Sequence, residues 1–317
     1  MLAGARPARA DAAVNGDGTT GAVPAAAPGA EAAGAPRIVA SDLDGTLLAP
    51  DGTVSPRTVD ALAACEDAGV VVVFVTARPH RWLTELAAHV AGHGVAICAN
   101  GGSVVDVGAQ RVLEQHGMDR ARVAAVAARL RAAWGPHVHL AAESARGFAA
   151  EHGFVTAHEQ PPGSPVAARI EDVADATTLK LLVRVDPAAG VDRAPDAFVA
   201  ALQGALGDLA HVSTSVTGPQ AGLLGEVAAP GVTKAATLAR WAGSHGVAAA
   251  DVWAVGDAPN DLPMLTWAGR SFAVGNAHPH VRSTVDEVVP SNADDGVAHV
   301  LERAAALARR VADRPAR

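Results

Sequence analysis

Two aspartates stand one residue apart in Asp42-Leu43-Asp44-Gly45-Thr46-Leu47-Leu48. In an extended strand alternate side chains share a face, so Asp42 and Asp44 are expected on one side while Leu43 turns into the core. Like carboxylates held close repel, so one stays protonated or a cation binds between them. Gly45 permits a sharp backbone turn, and Thr46 adds a hydroxyl beside the pair. Three further stretches carry groups of matching chemistry: Thr76 after an apolar run, Lys234 at a helix start, and Gly256-Asp257-Ala258-Pro259-Asn260-Asp261 after another apolar run. Hard oxygen donors of this kind suit Mg²⁺, which takes carboxylates, waters and a phosphate oxygen. A cation between Asp42 and Asp257 relieves their repulsion and has a phosphoryl oxygen as its natural next ligand. Lys234 and the Thr76 hydroxyl are then suited to the remaining phosphoryl oxygens. Asp42 is placed to attack phosphorus, and Asp44 to protonate the leaving alkoxide and later take a proton from water. The chemistry these residue types support together is hydrolysis of a phosphate monoester.

The elements that must position these groups are legible as a repeat of strand, loop and helix. Ile38-Val39-Ala40 is a short apolar run ahead of the aspartate pair. Ser55-Pro56 starts a helix that Gly69 ends, and Val70-Val71-Val72-Val73-Phe74-Val75 reads as a strand buried on both faces. Trp82, Leu83 and Leu86 suggest the next helix, and Val95-Ala96-Ile97-Cys98 a third strand. This alternation predicts an α/β fold with a doubly wound, Rossmann-like parallel sheet. From about residue 106 to 217 the pattern changes to hairpins and helices, which predicts an inserted α+β cap domain lying over the strand ends as a lid. The core is then expected over 36–105 and 218–317, with the parallel pattern resuming at Leu223. Residues 1–35 are Ala, Gly, Pro and Asp without periodicity, so a disordered extension is expected there. No apolar stretch follows Arg6 and Arg9, so a secretory signal is not expected.

Composition narrows the partners. Among 317 residues, 33 Asp and Glu against 25 Lys and Arg give a net charge of -8, which disfavours nucleic acid and anionic membranes. Aromatic content is 3% with no Tyr, too few for base-stacking platforms. Mean hydropathy is +0.19, yet no run approaches the roughly 20 apolar residues needed to span a bilayer. Cys65 and Cys98 sit in apolar patterns and read as core residues of a reducing compartment, so a cytoplasmic location is expected. A monomer or homodimer is expected.

The aspartate motif, Val75-Thr76-Ala77-Arg78, Lys234, and the run from Gly256 through Leu265 together resemble the four motifs of the haloacid dehalogenase superfamily. The form is similar to the Cof-type phosphatases, and Asn100-Gly101-Gly102, Gly275-Asn276-Ala277 and Ser291-Asn292-Ala293-Asp294-Asp295-Gly296-Val297 fit that subgroup. The resemblance covers about 37 to 303. It implies Asp42 as nucleophile and metal ligand, and Asp44 as general acid and base with its backbone carbonyl on the metal. It implies Thr76 and Ala77 on the phosphate, Lys234 neutralising nucleophile and phosphate, Asp257 on Mg²⁺, and Asn260 with Asp261 completing that set. Two features depart from the family pattern: Ala235 follows Lys234 where Gly is usual, and residues 1–35 have no counterpart. The implied activity is a Mg²⁺-dependent phosphatase of small phosphorylated metabolites, sugar phosphates foremost, through an aspartyl phosphate. The alternatives are a phosphomutase or other phosphotransferase, and a phospho-accepting regulatory domain, which Asp44 and the cap disfavour. His137, His139, Glu143, Arg146 and Phe148 are the cap side chains singled out for specificity.

Overall fold

Short β-branched runs separated by capped helices dictate how this chain winds, and the computed structural model describes residues 34–90, 92–155, 160–216 and 223–313. The extension expected to be disordered lies, up to residue 33, outside the described residues. The chain then runs through β1 (Ile38–Ser41), α1 (Pro56–Asp67), β2 (Val71–Val75), α2 (Leu83–His89) and β3 (Val95–Cys98). A hairpin of β4 (Ser103–Asp106) and β5 (Arg111–Gln115) follows. α1 begins as its sequence requires: the Ser55 hydroxyl accepts from the Thr58 amide, and Pro56 occupies the first turn, where its missing N–H costs nothing.

The middle of the chain comprises α3 (Arg120–Trp134), β6 (Val138–Ser144), β7 (Gly147–Glu151), β8 (Val166–Ala167), α4 (Ile170–Val173), β9 (Thr178–Val185), α5 (Pro195–Leu206), β10 (His211–Val216) and β11 (Leu223–Ala228). The last part holds α6 (Lys234–Ser244), β12 (Val252–Gly256), α7 (Leu262–Trp267), β13 (Arg270–Ala273), α8 (Pro279–Thr284), β14 (Glu287–Val288) and α9 (Gly296–Ala312).

Two sheets result. The first has the order β14-β13-β12-β1-β2-β3-β4-β5, parallel except for the β4–β5 hairpin. Its winding reverses at β1, with β2 and β3 laid down on one side and β12 to β14 on the other. Crevices beyond the carboxyl ends at such a reversal are where open α/β sheets bind ligands. The second sheet has the order β10-β11-β9-β6-β7-β8 and is antiparallel apart from the short β7–β8 pair. No helix of the described residues is long and apolar enough to cross a membrane.

Two segments join a different sheet from the one expected. Leu223–Ala228 does not resume the parallel core; it pairs antiparallel with β9 and β10. All six of its residues are buried, and an unbroken apolar run reads alike whether its strand is parallel or a central antiparallel one. The β4–β5 hairpin extends the first sheet past residue 105 to Gln115. The chain therefore passes from one sheet to the other after Gln115 and returns after Ala228, rather than at the expected 105/106 and 217/218.

Each sheet has its own core. Residues of β1, β2, β3 and β12 form the larger one with Leu62 of α1 and Leu301 of α9. The second sheet buries Leu140, Leu181, Val183 and Val227 against Leu130 of α3 and Phe198 and Leu202 of α5. Alternation along these strands sends Ala141, Phe148, Leu182 and Leu224 to the opposite face, where with Ala150 and Phe154 they form a third, smaller cluster.

Candidate active site

Asp42 follows β1 directly, and its amide donates to the Val255 carbonyl of β12 at 3.1 Å, so the loops after these adjacent strands start side by side. Gly45 has φ +80°, and a Cβ there would lie 2.6 Å from Asp257 Oδ2; only glycine lets this turn approach so closely. Thr46 Oγ1 donates to Asp257 Oδ1 at 2.6 Å, and Asn276 Nδ2 donates to the Gly45 carbonyl at 2.7 Å. These bonds tie the aspartate loop to the loop after β12. Carboxylate oxygens of Asp42, Asp257 and Asp261 consequently lie within 4.8 Å of one another.

Lys234 is the first residue of α6, whose start is capped by the Thr233 hydroxyl accepting from the Ala236 amide at 3.1 Å. Its Nζ donates to Asp42 Oδ1 at 2.5 Å and to Asp261 Oδ1 at 2.8 Å, with all three side chains buried. Burial alone would lower the ammonium pKa, but the carboxylates of Asp261 and Asp42 outweigh it and push Lys234 up, so it is cationic at any physiological pH. Burial raises Asp42 well above the ordinary carboxylate range against the pull of Lys234, and Asp261 and Asp257 add to the rise. Burial raises Asp257 as well. Three carboxyls converge on one ammonium, and a divalent cation would relieve the mutual repulsion that helps raise Asp42 and Asp257. The all-oxygen donor set is the type Mg²⁺ takes. Asp261 is the most committed of the three: one oxygen accepts from Lys234, and the other accepts from the Asp257 and Ala258 amides at 3.1 Å each. Its contacts hold the lysine and the loop bearing Asp257.

Asp44 faces the same cavity as Asp42 but is exposed where Asp42 is buried. β1 ends at Ser41, so strand alternation does not extend across the pair, while Leu43 stays fully buried. The exposed Asp44 carboxylate accepts from Arg78 Nη2 at 2.5 Å and Nε at 2.9 Å, and it stands outside the three-carboxylate group. Thr76 is buried beneath the loop, its Oγ1 accepting from the Arg78 amide at 3.0 Å. Ala77 and Asn260 line the same cavity as Asp42, Asp44, Lys234 and Asp257, a space of about 1300 Å³ between the two sheets.

Of the cap side chains singled out from sequence, Glu143 and Phe148 line this cavity, while His137, His139 and Arg146 are not among its lining residues. Sequence reasoning gave no role to Arg78, Arg81, Asn100, Lys180 or Glu226, all of which line it. Arg81 donates to Glu143 at 2.6 Å, and Lys180 Nζ donates to Glu226 Oε2 at 2.6 Å and to the Ala77 carbonyl at 2.9 Å. Asn100 Nδ2 also donates to Glu226 Oε2, at 2.6 Å. The available signal was a lysine in the middle of the apolar run Leu179 to Val185, where an unpaired ammonium is costly to bury.

A sheet wound in two directions, with an aspartate cluster and a buried lysine at its reversal, defines a class of hydrolase, and the chain belongs to the haloacid dehalogenase-like hydrolases, whose family model matches residues 39–301. It is of the Cof type, a phosphoric monoester hydrolase. Pyridoxal phosphate phosphatase YbhA of Escherichia coli (strain K12) is 28% identical over 281 residues, covering 84% of this chain and 97% of that protein. HMP-PP phosphatase of Yersinia enterocolitica is 27% identical, covering 84% of this chain and 94% of that protein. The fold matches a solved haloacid dehalogenase-like hydrolase from Bacteroides thetaiotaomicron with a TM-score of 0.65 at 22% identity, over 84% of this chain and 98% of that one.

Proposed function

We propose that this chain is a Mg²⁺-dependent phosphatase that hydrolyses small phosphorylated metabolites through an aspartyl phosphate on Asp42. The observation that carries the reading is the buried Asp42–Lys234–Asp261 arrangement beside Asp257, at the sheet reversal and opening into the cavity. Asp42 and Asp257, with Asp261 behind them and the Asp44 backbone carbonyl, would hold Mg²⁺. Bound there, the ion would relieve the repulsion among these carboxyls and would supply Lewis-acid polarisation of a phosphoryl oxygen. Lys234 orients the Asp42 carboxyl and pulls against the rise that burial imposes on it, and it neutralises charge building on the phosphoryl group. The Thr76 hydroxyl, the Ala77 amide and Asn260 position the other oxygens. Asp42 Oδ attacks phosphorus, the bond to the leaving oxygen breaks, and that oxygen takes a proton from Asp44. Water then attacks the aspartyl phosphate and gives its proton to Asp44, releasing phosphate. Asp44 turns from Arg78 to do this, a motion its exposure permits. The second sheet acts as a cap whose side chains meet the leaving group.

The test is Asp42→Asn. Phosphate release from acetyl phosphate and glycerol 1-phosphate falls by at least about 10³-fold, because the attacking oxygen is replaced by an amide. Acid-quenched wild-type protein carries covalent phosphate on the Asp42 peptide, and the variant carries none. Release at the wild-type rate from Asp42→Asn refutes the mechanism. The sugar phosphates expected from sequence are one class within this reading, and the cap face decides among classes.

A further inference from the structure

We propose that Lys180, on strand β9 of the cap, is a positioning residue for phosphoryl transfer: it fixes the Ala77–Arg78 peptide and, through it, the Thr76 hydroxyl assigned above to a phosphoryl oxygen. The inference rests on the phosphatase reading above. Its basis is a chain of buried hydrogen bonds running from the cap into the Thr76-Ala77-Arg78 loop.

Three successive carbonyls of that loop accept hydrogen bonds, and their donors differ in origin. The Asn100 amide donates to the Thr76 carbonyl at 3.0 Å and the Ala99 amide to the Arg78 carbonyl at 2.8 Å, both from the loop after β3. Ala99 and Asn100 hold left-handed backbone there, at φ 51° and 56°, a conformation costly for residues with a Cβ. The Ala77 carbonyl between them accepts from the cap, from Lys180 Nζ at 2.9 Å. A trans peptide unit is planar, so fixing the Ala77 carbonyl also fixes the Arg78 N–H on the opposite edge of the plane. That N–H donates to Thr76 Oγ1 at 3.0 Å. A hydroxyl that accepts there has its own proton to donate, which is what a phosphoryl oxygen requires. The Arg78 side chain, beyond the same peptide, holds Asp44.

Stability does not account for a lysine at this position. Lys180 is 4% exposed in a strand whose other residues are buried apart from Arg184. Burying an ion pair costs desolvation that its attraction hardly repays, and apolar side chains of similar volume pack as well or better. Nor does Glu226 serve as a counter-ion alone. Its Oε2 accepts from Lys180 Nζ and from Asn100 Nδ2, both at 2.6 Å. The residue that holds the Thr76 carbonyl and the residue that holds the Ala77 carbonyl are thus joined through one oxygen, and together they bracket the loop.

The experiment measures kcat/KM of the full chain with Mg²⁺ for acetyl phosphate and glycerol 1-phosphate. Four proteins are compared: wild type, Lys180→Met with Glu226→Gln, Thr76→Val, and all three changes combined. The paired change leaves no orphaned charge and keeps an acceptor for Asn100, while the bond to Ala77 is lost. Expected for it is a loss of at least about tenfold, equal within about twofold for the two substrates, because the phosphate loop meets both alike. Thr76→Val costs at least about tenfold alone and less than about threefold on top of the paired change, since both remove the same hydroxyl contact. Wild-type kcat/KM in the paired variant overturns the inference, and so does a loss confined to one of the two substrates, which would put Lys180 on the leaving group. An equal effect of Thr76→Val in both backgrounds, large or nil, overturns it as well. Release from neither substrate by the wild type overturns the phosphatase reading, and this inference with it. Where the paired variant does not fold, the wild type decides: its Arg78 amide exchanges with deuterium at least about a hundredfold slower than an unprotected amide, and unprotected exchange overturns the fixed peptide.

Discussion

At the scale of single residues, the site is governed by an imbalance of charge. Asp42, Asp257 and Asp261 crowd their oxygens within 4.8 Å, and among the described residues Lys234 is the cation paired with Asp42 and Asp261. On the proposed reading, Mg²⁺ is expected to bind the native chain and not the unfolded one, and so to stabilise it by mass action, about 2.7 kcal/mol at a hundred times its Kd. For a chain of this size that is a rise in melting temperature of roughly 5 °C. Asp257→Asn, melted in the presence of chelator, is at least as stable as the wild type because it removes one of the repelling charges. With Mg²⁺ it loses most of the wild-type gain. Calorimetry with and without the ion measures both effects, and an undiminished Mg²⁺ shift in Asp257→Asn removes Asp257 from the metal site. The placement of Asp42, Thr76 and Asp257 at the ends of neighbouring strands could be read from order along the chain, because each follows an apolar run. What residue type could not convey is that Asp44 turns out to Arg78, since the point where β1 stops is set by pairing with β2 and β12.

At the scale of elements, buried polar contacts tie the two sheets together. Lys180 in β9 reaches across to the Ala77 carbonyl, in the loop that also carries Thr76, and Glu226 in β11 accepts from Lys180 and from Asn100 after β3. Both side chains of the ion pair are about 5% exposed. Removing one partner of such a pair leaves the other charge buried and unmatched, at a cost of about 3–5 kcal/mol. Lys180→Met should lower the urea midpoint accordingly, and Lys180→Met with Glu226→Gln should recover a good part of it, since two neutral groups leave no orphaned charge. A single variant within about 1 kcal/mol of the wild type would mean that the pair does not hold the sheets. The helices and parallel strands were legible because Ser55-Pro56 and the Val70 to Val75 run are local signals. The assignment of Leu223–Ala228 was not, because sheet membership is a tertiary choice: Gly225 faces Val183, and a Cβ on it would lie 2.4 Å from Leu202 of α5.

At the scale of the whole molecule, the cysteines report how the two sheets and their helices close off the larger core. Cys65 lies between α1 and α9, its Sγ donating to the Leu301 carbonyl at 3.3 Å, and Cys98 ends β3 beneath the cavity wall; neither has any exposed surface. Composition alone suggested this burial, because both sit in apolar patterns, but it could not say that one thiol is covered by a helix from the far end of the chain. Burial pushes both thiols up to about 12, so at pH 8 each stays protonated. The nucleophile in alkylation is the thiolate, and access is needed as well as charge. Native protein treated with iodoacetamide at pH 8 is therefore expected to gain less than one adduct per chain by intact mass, and two once denatured in guanidinium. Across a denaturant series, Cys65 alkylation should follow loss of the α1–α9 packing, while Cys98 should follow loss of the β2–β3 pairing. If the packed core opens as one cooperative unit, the two labelling curves coincide. Labelling of Cys98 at lower denaturant than Cys65 would instead show that the wall beneath the cavity opens first, and rapid labelling of either in native buffer would contradict the closed core.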